Sequence, residues 1–265
     1  MAKSTVPALS DAIGDYLKAL WSLSQTRSLP VSTSVDLVAQ DRVDSGDVLE
    51  DSTPVSTNDL ATHLGVTAPS VTGMLNKLAK RGLVKYQRYY GATLTEAGRQ
   101  EALRLIRRHR LIETFLSTYL DYSWDEVHEE AELMEHTMTE RFTERLAAKL
   151  GHPTFDPHGD PIPAADGSLP SRPRQLLAEL EVGDTLYVTR ILSQDSHVLS
   201  YLQGTGIQPG TTLTVTGREP FGKLLHLDLK NAEVHTNPRT VAVSFELAQR
   251  IEGQRIEGRL EPPPT

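Results

Sequence analysis

HRLIETFLSTYLDYSWDEVHEEAELMEH, residues 109–136, decides how the rest of the chain is read. His109 and Glu113 are four apart, one helical turn from each other. His128, Glu132, Glu135 and His136 follow at i, i+4, i+7 and i+8, which on one continuous helix puts them within an arc of about 100°. Between the clusters, Ser123-Trp124-Asp125-Glu126 is a capping-box pattern that starts a new helix after a turn at Asp121–Tyr122. Two helices joined by a tight turn bring six nitrogen and oxygen donors to neighbouring surfaces, which suits one metal site or a pair. Glu/His stripes at helical spacing are more often solvated faces, so the reading depends on the remaining sequence.

At 265 residues the chain can hold two or three small domains, and 38% hydrophobic content leaves length for linkers and loops. It has no cysteine, which excludes disulfides, zinc ribbons, thiolate catalysis and iron–sulfur clusters. No apolar run reaches the roughly 18 residues of a membrane span and no basic–apolar leader is visible, so a soluble, cytoplasmic protein without a membrane partner is expected. The net charge of −8 argues against nucleic acid until its distribution is considered. Lys77–Arg110 holds ten Lys/Arg against Glu96 and Glu101, a balance of +8, whereas Asp121–Glu144 holds nine acids against Arg141, a balance of −8. A phosphate-binding surface beside a cation-binding one is the expectation.

Residues 1–9 carry no periodicity and read as a mobile arm. Ser10 opens a helix with Ile13, Leu17, Leu20 and Trp21 on its apolar side, ending near Ser24, and Asp15 lies off that stripe. Residues 25–54, rich in Ser, Thr, Val and Asp, read as an insertion, flexible or with a short strand or two, and with no assignable role. From Val55 a helix-turn-helix is legible. Ser56-Thr57-Asn58-Asp59 starts a short helix, Gly65-Val66 turns the chain, and Thr67 with Pro69 starts a second helix buried through Val71, Leu75 and Leu78 and stopped at Gly82. Leu83–Arg88 and Ala92–Leu94, around Tyr89-Tyr90-Gly91, form a hairpin or wing. The second helix offers Thr67, Pro69, Ser70, Thr72, Gly73, Asn76, Lys77 and Lys80, and the wing adds Arg88, groups suited to base edges and phosphates. A polar solvated face is the plain alternative, and the turn, wing and basic run together favour DNA.

Thr95 opens a long helix through Ala102, Leu105, Ile106 and Leu111, and a second helix is expected from about Trp124 to Leu150, with Val127, Ala131, Met134, Met138 and Phe142 as core or dimer contacts. Residues 152–174 read as a Pro-rich linker in which His152 and His158 are loop residues. Strands are expected at 184–192, 211–217, 223–230 and 239–245, with a helix at 195–203, giving an SH3-like barrel over 175–251. Residues 252–265 read as a disordered tail. The fold class is α+β and multidomain: a winged helix-turn-helix over 1–94, a helical domain over 95–151, then the linker and the β-domain.

A winged helix-turn-helix, a His/Glu helical pair, the HGDPIP loop at 158–163 and a C-terminal SH3-like domain occur together in one family. The chain resembles the diphtheria toxin repressor/manganese transport regulator (DtxR/MntR) family of metal-dependent transcriptional regulators, everywhere but the 25–54 insertion and the extreme tails. The resemblance implies a homodimer that binds a palindromic double-stranded operator, with residues 95–151 serving metal binding and dimerisation and 175–251 being of the FeoA type. It implies one metal site of Asp15, Glu132, Glu135 and His136, and another of His109, Glu113 and His128. Two departures stand out. Lys18 occupies the position where manganese-type members carry a further acidic ligand. Arg190 and Ser193 align with the Glu and Gln that the SH3-like domain donates in iron-type members, while a shifted register would offer Gln194, Asp195 or His197, and both registers stay open.

Carboxylates at Asp15 and Glu132, where iron-type members place sulfur, make the implied site hard, as Mn(II) prefers. Mn(II) is therefore expected as the activating ion, with Fe(II) as the other physiological option and Zn(II) or other divalent ions binding in vitro. The chain lacks His-Glu-x-x-His, a Gly-rich phosphate loop and a nucleophile elbow, so no enzyme is expected. The alternative reading is a metal-independent winged-helix regulator that senses a small organic ligand through its C-terminal domain. Repressor or activator, operator sequence and target genes are not legible, although metal-transport genes are the family expectation.

Overall fold

The computed structural model describes residues 10–27, 53–171, 174–219, 223–231 and 239–256. The expected arm over 1–9, residues 28–52 of the expected insertion and residues 257–265 of the expected tail lie outside these. The chain divides into one unit up to Ile106 and a second from Arg107 onward.

In the first unit, α1 (Asp11–Arg27) extends three residues beyond the expected end at Ser24. Its Ile13, Leu17 and Leu20 share one buried core with Leu60 of α2 (Thr57–Leu64) and Val71, Leu75 and Leu78 of α3 (Ala68–Lys80). Ser56 caps α2 by accepting a hydrogen bond from Asp59 N–H, and Gly65, at φ +64°, ends it with its N–H directed at Ala61 and Thr62 carbonyls. Strands β1 (Val84–Gln87) and β2 (Gly91–Leu94) pair antiparallel from Val84↔Leu94 to Gln87↔Gly91, and Val55 bridges Ala92. The winged helix-turn-helix thus has the expected order of elements.

In the second unit, α4 (Glu96–Tyr119), which begins in the first, is followed by α5 (Val127–Met134), a 3-10 turn at Glu135–Thr137 and α6 (Glu140–Lys149). The single helix expected over 124–150 is therefore broken. Met138 is extended at φ −72°, ψ 130°, and Thr139 starts α6 as its cap, accepting from Phe142 N–H at 3.3 Å. The break also splits the expected apolar stripe: Val127, Ala131 and Met138 are buried, whereas Met134 and Phe142 are exposed.

The Pro-rich stretch is not a spacer in its first half. Asp156, His158 and Ile162 are buried, and Arg107 donates to the Pro163 carbonyl at 2.8 Å. Beyond it, β3 (Gln175–Leu176), β4 (Thr185–Ile191), α7 (Ser196–Thr205), β5 (Thr211–Arg218), β6 (Leu224–Asn231), β7 (Arg239–Ser244), α8 (Phe245–Ala248) and β8 (Ile251–Ile256) build an antiparallel sheet of order β3-β8-β4-β5-β6-β7. Among the described residues this SH3-like sheet is open at β3 and β7 rather than closed into a barrel. Residues 252–256, expected in the tail, lie in β8 and pair along β4 from Thr185↔Ile256 to Ile191↔Ile251. Trp124, from the segment before α5, joins Leu186, Val188, Leu213, Leu227 and Ile251 in the core under this sheet. Among the described residues no helix is long and apolar enough to cross a membrane.

Candidate functional site

Helix α4 places His109 and Glu113 on its buried side, and α5 brings His128 and Glu132 opposite them. His109 Nε2 is 3.0 Å from Glu113 Oε1 and 3.0 Å from His128 Nδ1, and His128 Nδ1 is 3.3 Å from Glu113 Oε1. His109 Nδ1 is 2.5 Å from Oε2 of Glu135, which is wholly buried. Glu135 Oε1 lies 3.5 Å from His136 Nε2, and His128 Nε2 lies 3.7 Å from Glu132 Oε1. The donor atoms of His109, Glu113 and His128 fall within 4.8 Å of one another, as do those of His109, Glu132 and Glu135. The second unit therefore brings together six of the seven expected ligands, with His109 common to both halves. Asp15, the seventh, is half-buried on α1 of the first unit, three residues before the half-buried Lys18.

Electrostatics set this cluster apart from a solvated stripe. Burial opposes the charged form of Glu113, but the charge and hydrogen bond of His109 and the hydrogen bond of His128 outweigh it and hold the carboxyl well below the usual range. Each ring nitrogen of His109 thus faces a carboxylate, and Nε2 also faces His128 Nδ1.

The structure adds two residues that sequence reasoning left in the linker. Asp156 and His158 come within 4.8 Å of Glu113, donor atom to donor atom, and all three are buried. His158 Nε2 is 2.8 Å from the Trp124 carbonyl, to which it can only donate, so a neutral ring keeps its lone pair on Nδ1. Burial, with the carboxylates of Asp160 and Glu113, pushes the Asp156 carboxyl well above the usual range despite the attraction of Arg110. The available signal was an Asp and a His two residues apart between prolines, directly after a helical pair rich in His and Glu.

The basic run is partly consumed by the fold. Arg99 pairs with Glu96 and Arg104 with Glu101, and Arg108 reaches Glu140. Buried Arg107 binds Glu144 and the Pro163 carbonyl, and Arg110 binds Asp156, Asp160 and the Pro161 carbonyl. The expected phosphate-binding stripe over 77–110 therefore contracts to the helix-turn-helix and wing. There Thr67, Pro69, Ser70, Gly73, Asn76, Lys77, Lys80, Lys85 and Arg88 are exposed. Thr72 is half-buried and its hydroxyl donates to the Ala68 carbonyl at 3.1 Å, so only its acceptor capacity faces outward. Arg88 lies 5.0 Å from the ring centroid of Tyr89, which with Tyr90 stands exposed at the wing tip.

Arg190 Nη2 binds Asp160 at 2.5 Å, so that position carries a cation rather than a ligand. In the shifted register, Asp195 caps α7 by accepting from the N–H groups of His197 and Val198.

Comparison with known proteins agrees with this architecture. Residues 47–92 match the N-terminal DNA-binding domain of iron-dependent repressors, 95–164 their metal-binding and dimerisation domain, and 175–255 the FeoA domain. The iron-dependent repressor IdeR of Mycobacterium leprae is 31% identical over 209 residues, 74% of this chain and 87% of that protein. A solved manganese-dependent transcriptional repressor in complex with manganese superposes with a TM-score of 0.74 at 37% identity, covering 92% of this chain and all of the other. The structure of ScaR with bound Zn2+ superposes with a TM-score of 0.69 at 29% identity, covering 92% of this chain and 99% of the other. A DNA-reading helix and wing followed by buried His/Glu helices and an FeoA-type sheet, matched domain by domain, place this chain in the diphtheria toxin repressor/manganese transport regulator family of metal-dependent transcriptional repressors.

Proposed function

We propose that this protein is a Mn(II)-responsive repressor that acts in the cytoplasm as a homodimer on a palindromic operator upstream of metal-transport genes. The observation that carries the reading is the convergence of buried Glu113, Glu135 and His109 with half-buried His128 in a cluster whose donors are all oxygen and nitrogen. These residues fit a hard divalent cation. Three carboxylates, Glu113, Glu132 and Glu135, surround two imidazoles, and a buried anion without a cationic partner is costly. A bound divalent ion supplies positive charge to these carboxylates.

Asp15 is assigned with Glu132, Glu135 and His136 to one site, and His109, Glu113 and His128 to the other. Asp156 and His158 join the second set through Glu113. Asp15 belongs to the helix whose Ile13, Leu17 and Leu20 share one buried core with Val71, Leu75 and Leu78 of α3, the recognition helix. Drawing Asp15 to the ligands of the second unit ties that helix down, which narrows the relative positions of the two recognition helices in a dimer and favours the DNA-binding state. Thr67, Pro69, Ser70, Thr72 and Gly73 are assigned to base edges and nearby backbone, and Lys77 and Arg88 to phosphates.

Absence of a sulfur donor favours Mn(II) over softer ions, although the Irving–Williams order allows Zn(II) to bind tightly in vitro and Fe(II) shares the same ligand types. Operator binding measured anaerobically in chelator, Mn(II), Fe(II) and Zn(II) tests the reading. Mn(II) should raise operator affinity. Equal affinity in chelator and in Mn(II) would favour a regulator that senses something other than metal, and a response to Fe(II) alone would overturn the manganese assignment.

A further inference from the structure

The segment Phe155–Pro161, which carries Asp156 and His158, is held from both sides by charged and main-chain contacts. From α4, Arg110 lies 3.6 Å from Asp156 Oδ2 and 3.5 Å from Asp160 Oδ1, and donates to the Pro161 carbonyl at 2.5 Å. From β4 of the FeoA-type sheet, Arg190 donates to the same Asp160 Oδ1 through Nε at 2.7 Å and Nη2 at 2.5 Å, and its Nη1 lies 3.5 Å from Glu252 of β8. Asp160 is thus shared by two guanidinium groups, one on each side of the loop. Ile191 N–H donates to the His158 carbonyl at 2.9 Å. A Cβ on Gly159 would lie 1.9 Å from the Thr189 carbonyl oxygen, so the loop rests directly on the β4 backbone. Within the loop, Asp156 Oδ1 accepts from the N–H groups of His158 and Asp160, each at 2.9 Å. Displacing Asp160 therefore displaces both Asp156 and His158.

From this we infer that Arg190 is a positioning residue: through the Arg190–Asp160–Arg110 bridge the FeoA-type domain holds Asp156 and His158 in ligand geometry without donating a ligand of its own. The inference rests on the reading of Asp156 and His158 as ligands. Arg190 cannot coordinate a cation, and its two short bonds to one carboxylate oxygen are charge-assisted and directional. Arg110 lies 3.5 Å from that oxygen, so removing Arg190 takes away the charge-assisted hold on Asp160 from the β4 side, where the His158–Ile191 main-chain bond remains. The role resembles that of outer-shell partners in metal sites, whose loss weakens binding by about 10–100-fold.

Mn(II) alone is titrated into the full-length protein, with bound ions per protomer and their affinities read from the free-ion electron paramagnetic resonance signal. Emission of Trp124, whose ring is stacked on His158 at 5.2 Å, is followed in a Trp21→Phe background as a local reporter. Arg190→Met should weaken one class of Mn(II) sites by roughly 10–100-fold and abolish the Mn(II) response of Trp124. Arg190→Lys should recover part of both, and Asp160→Asn should reproduce the loss with β4 unaltered. His158→Ala is the control for the underlying reading. If it leaves stoichiometry and affinities unchanged, Asp156 and His158 are not ligands and that reading fails. If His158→Ala removes a site while Arg190→Met and Asp160→Asn leave it at parental affinity, the ligand reading stands and the positioning role of Arg190 is overturned.

Discussion

Glu135→Gln is the most direct perturbation of the metal centre. Glu135 is wholly buried in the 3-10 turn after α5, with one carboxylate oxygen 2.5 Å from His109 Nδ1 and the other 3.5 Å from His136 Nε2. Glutamine keeps its size and removes its charge, so packing is conserved while an anionic donor is lost. At Mn(II) one hundred times the dissociation constant, binding to the folded state alone stabilises the parent by about 2.7 kcal/mol. For a chain of this size that corresponds to a melting shift of about 5–11 °C. Removal of an anionic ligand should cost at least the upper end of the roughly 100-fold seen when outer-shell partners are removed. At the same Mn(II) concentration the variant then gains only about 0.4 kcal/mol, a shift of about 1–2 °C. The assay is thermal unfolding of parent and variant in chelator and in Mn(II), followed by circular dichroism, with operator binding measured in parallel. A Glu135→Gln protein that keeps the full Mn(II)-induced shift would refute the assignment of Glu135 as a ligand.

Gly73 lies on the exposed face of α3 where an added Cβ meets nothing within 4 Å, so Gly73→Ala should stabilise the fold by about 0.5–1 kcal/mol. If DNA approaches that face closely, the same variant binds the operator more weakly; unchanged operator affinity would remove Gly73 from the interface. Lys77→Ala and Arg88→Ala should each flatten the dependence of log affinity on log salt by about 0.9 on any duplex, whereas Ser70→Ala should lose affinity only at the specific operator. The folded-state pKa of Asp156 is raised by burial and by its carboxylate neighbours, so its contribution to stability is present below the usual aspartate pKa and lost as pH rises through the raised value. Asp156→Asn should therefore reduce the loss of stability of the metal-free protein as pH rises above the usual aspartate range. A melting profile identical to the parent's over that range would show that the carboxyl does not titrate there.

Short-range spacing was the most legible part of the sequence. His109-x3-Glu113 and His128-x3-Glu132 are single-turn relationships, and both pairs lie on helices in the structure, at 3.0 Å and 3.7 Å. The i+7 and i+8 extrapolation to Glu135 and His136 assumed one continuous helix, and α5 ends at Met134. Glu135 still reaches His109 because the 3-10 turn changes the helical phase by only a few residues before Met138 leaves the helix. The Thr137-Met138-Thr139 sequence was a visible stop signal, since threonine is a good cap and a weak helix former, but the apolar stripe masked it.

What stayed illegible depended on partners distant in sequence. β8 reads as a tail because Glu252-Gly253-Gln254-Arg255 has no β-propensity of its own. Its place in the sheet comes from backbone proximity to β4, where a Cβ at Gly253 would lie 2.2 Å from the Tyr187 carbonyl oxygen, and only glycine allows that approach. His158 reads as a loop residue because nothing local buries it; its burial is supplied by Trp124, 34 positions earlier, and by β4, whose Ile191 N–H bonds its carbonyl. The arginine run shows the same limit in the opposite direction. A local balance of +8 suggested one continuous phosphate-binding stripe, yet Arg107 and Arg110 spend their donors on Glu144, Asp156, Asp160 and two proline carbonyls, all of them more than 35 residues away. Net charge along a sequence counts side chains before the fold has paired them, so it marks where cations are made available and not which of them remain for DNA.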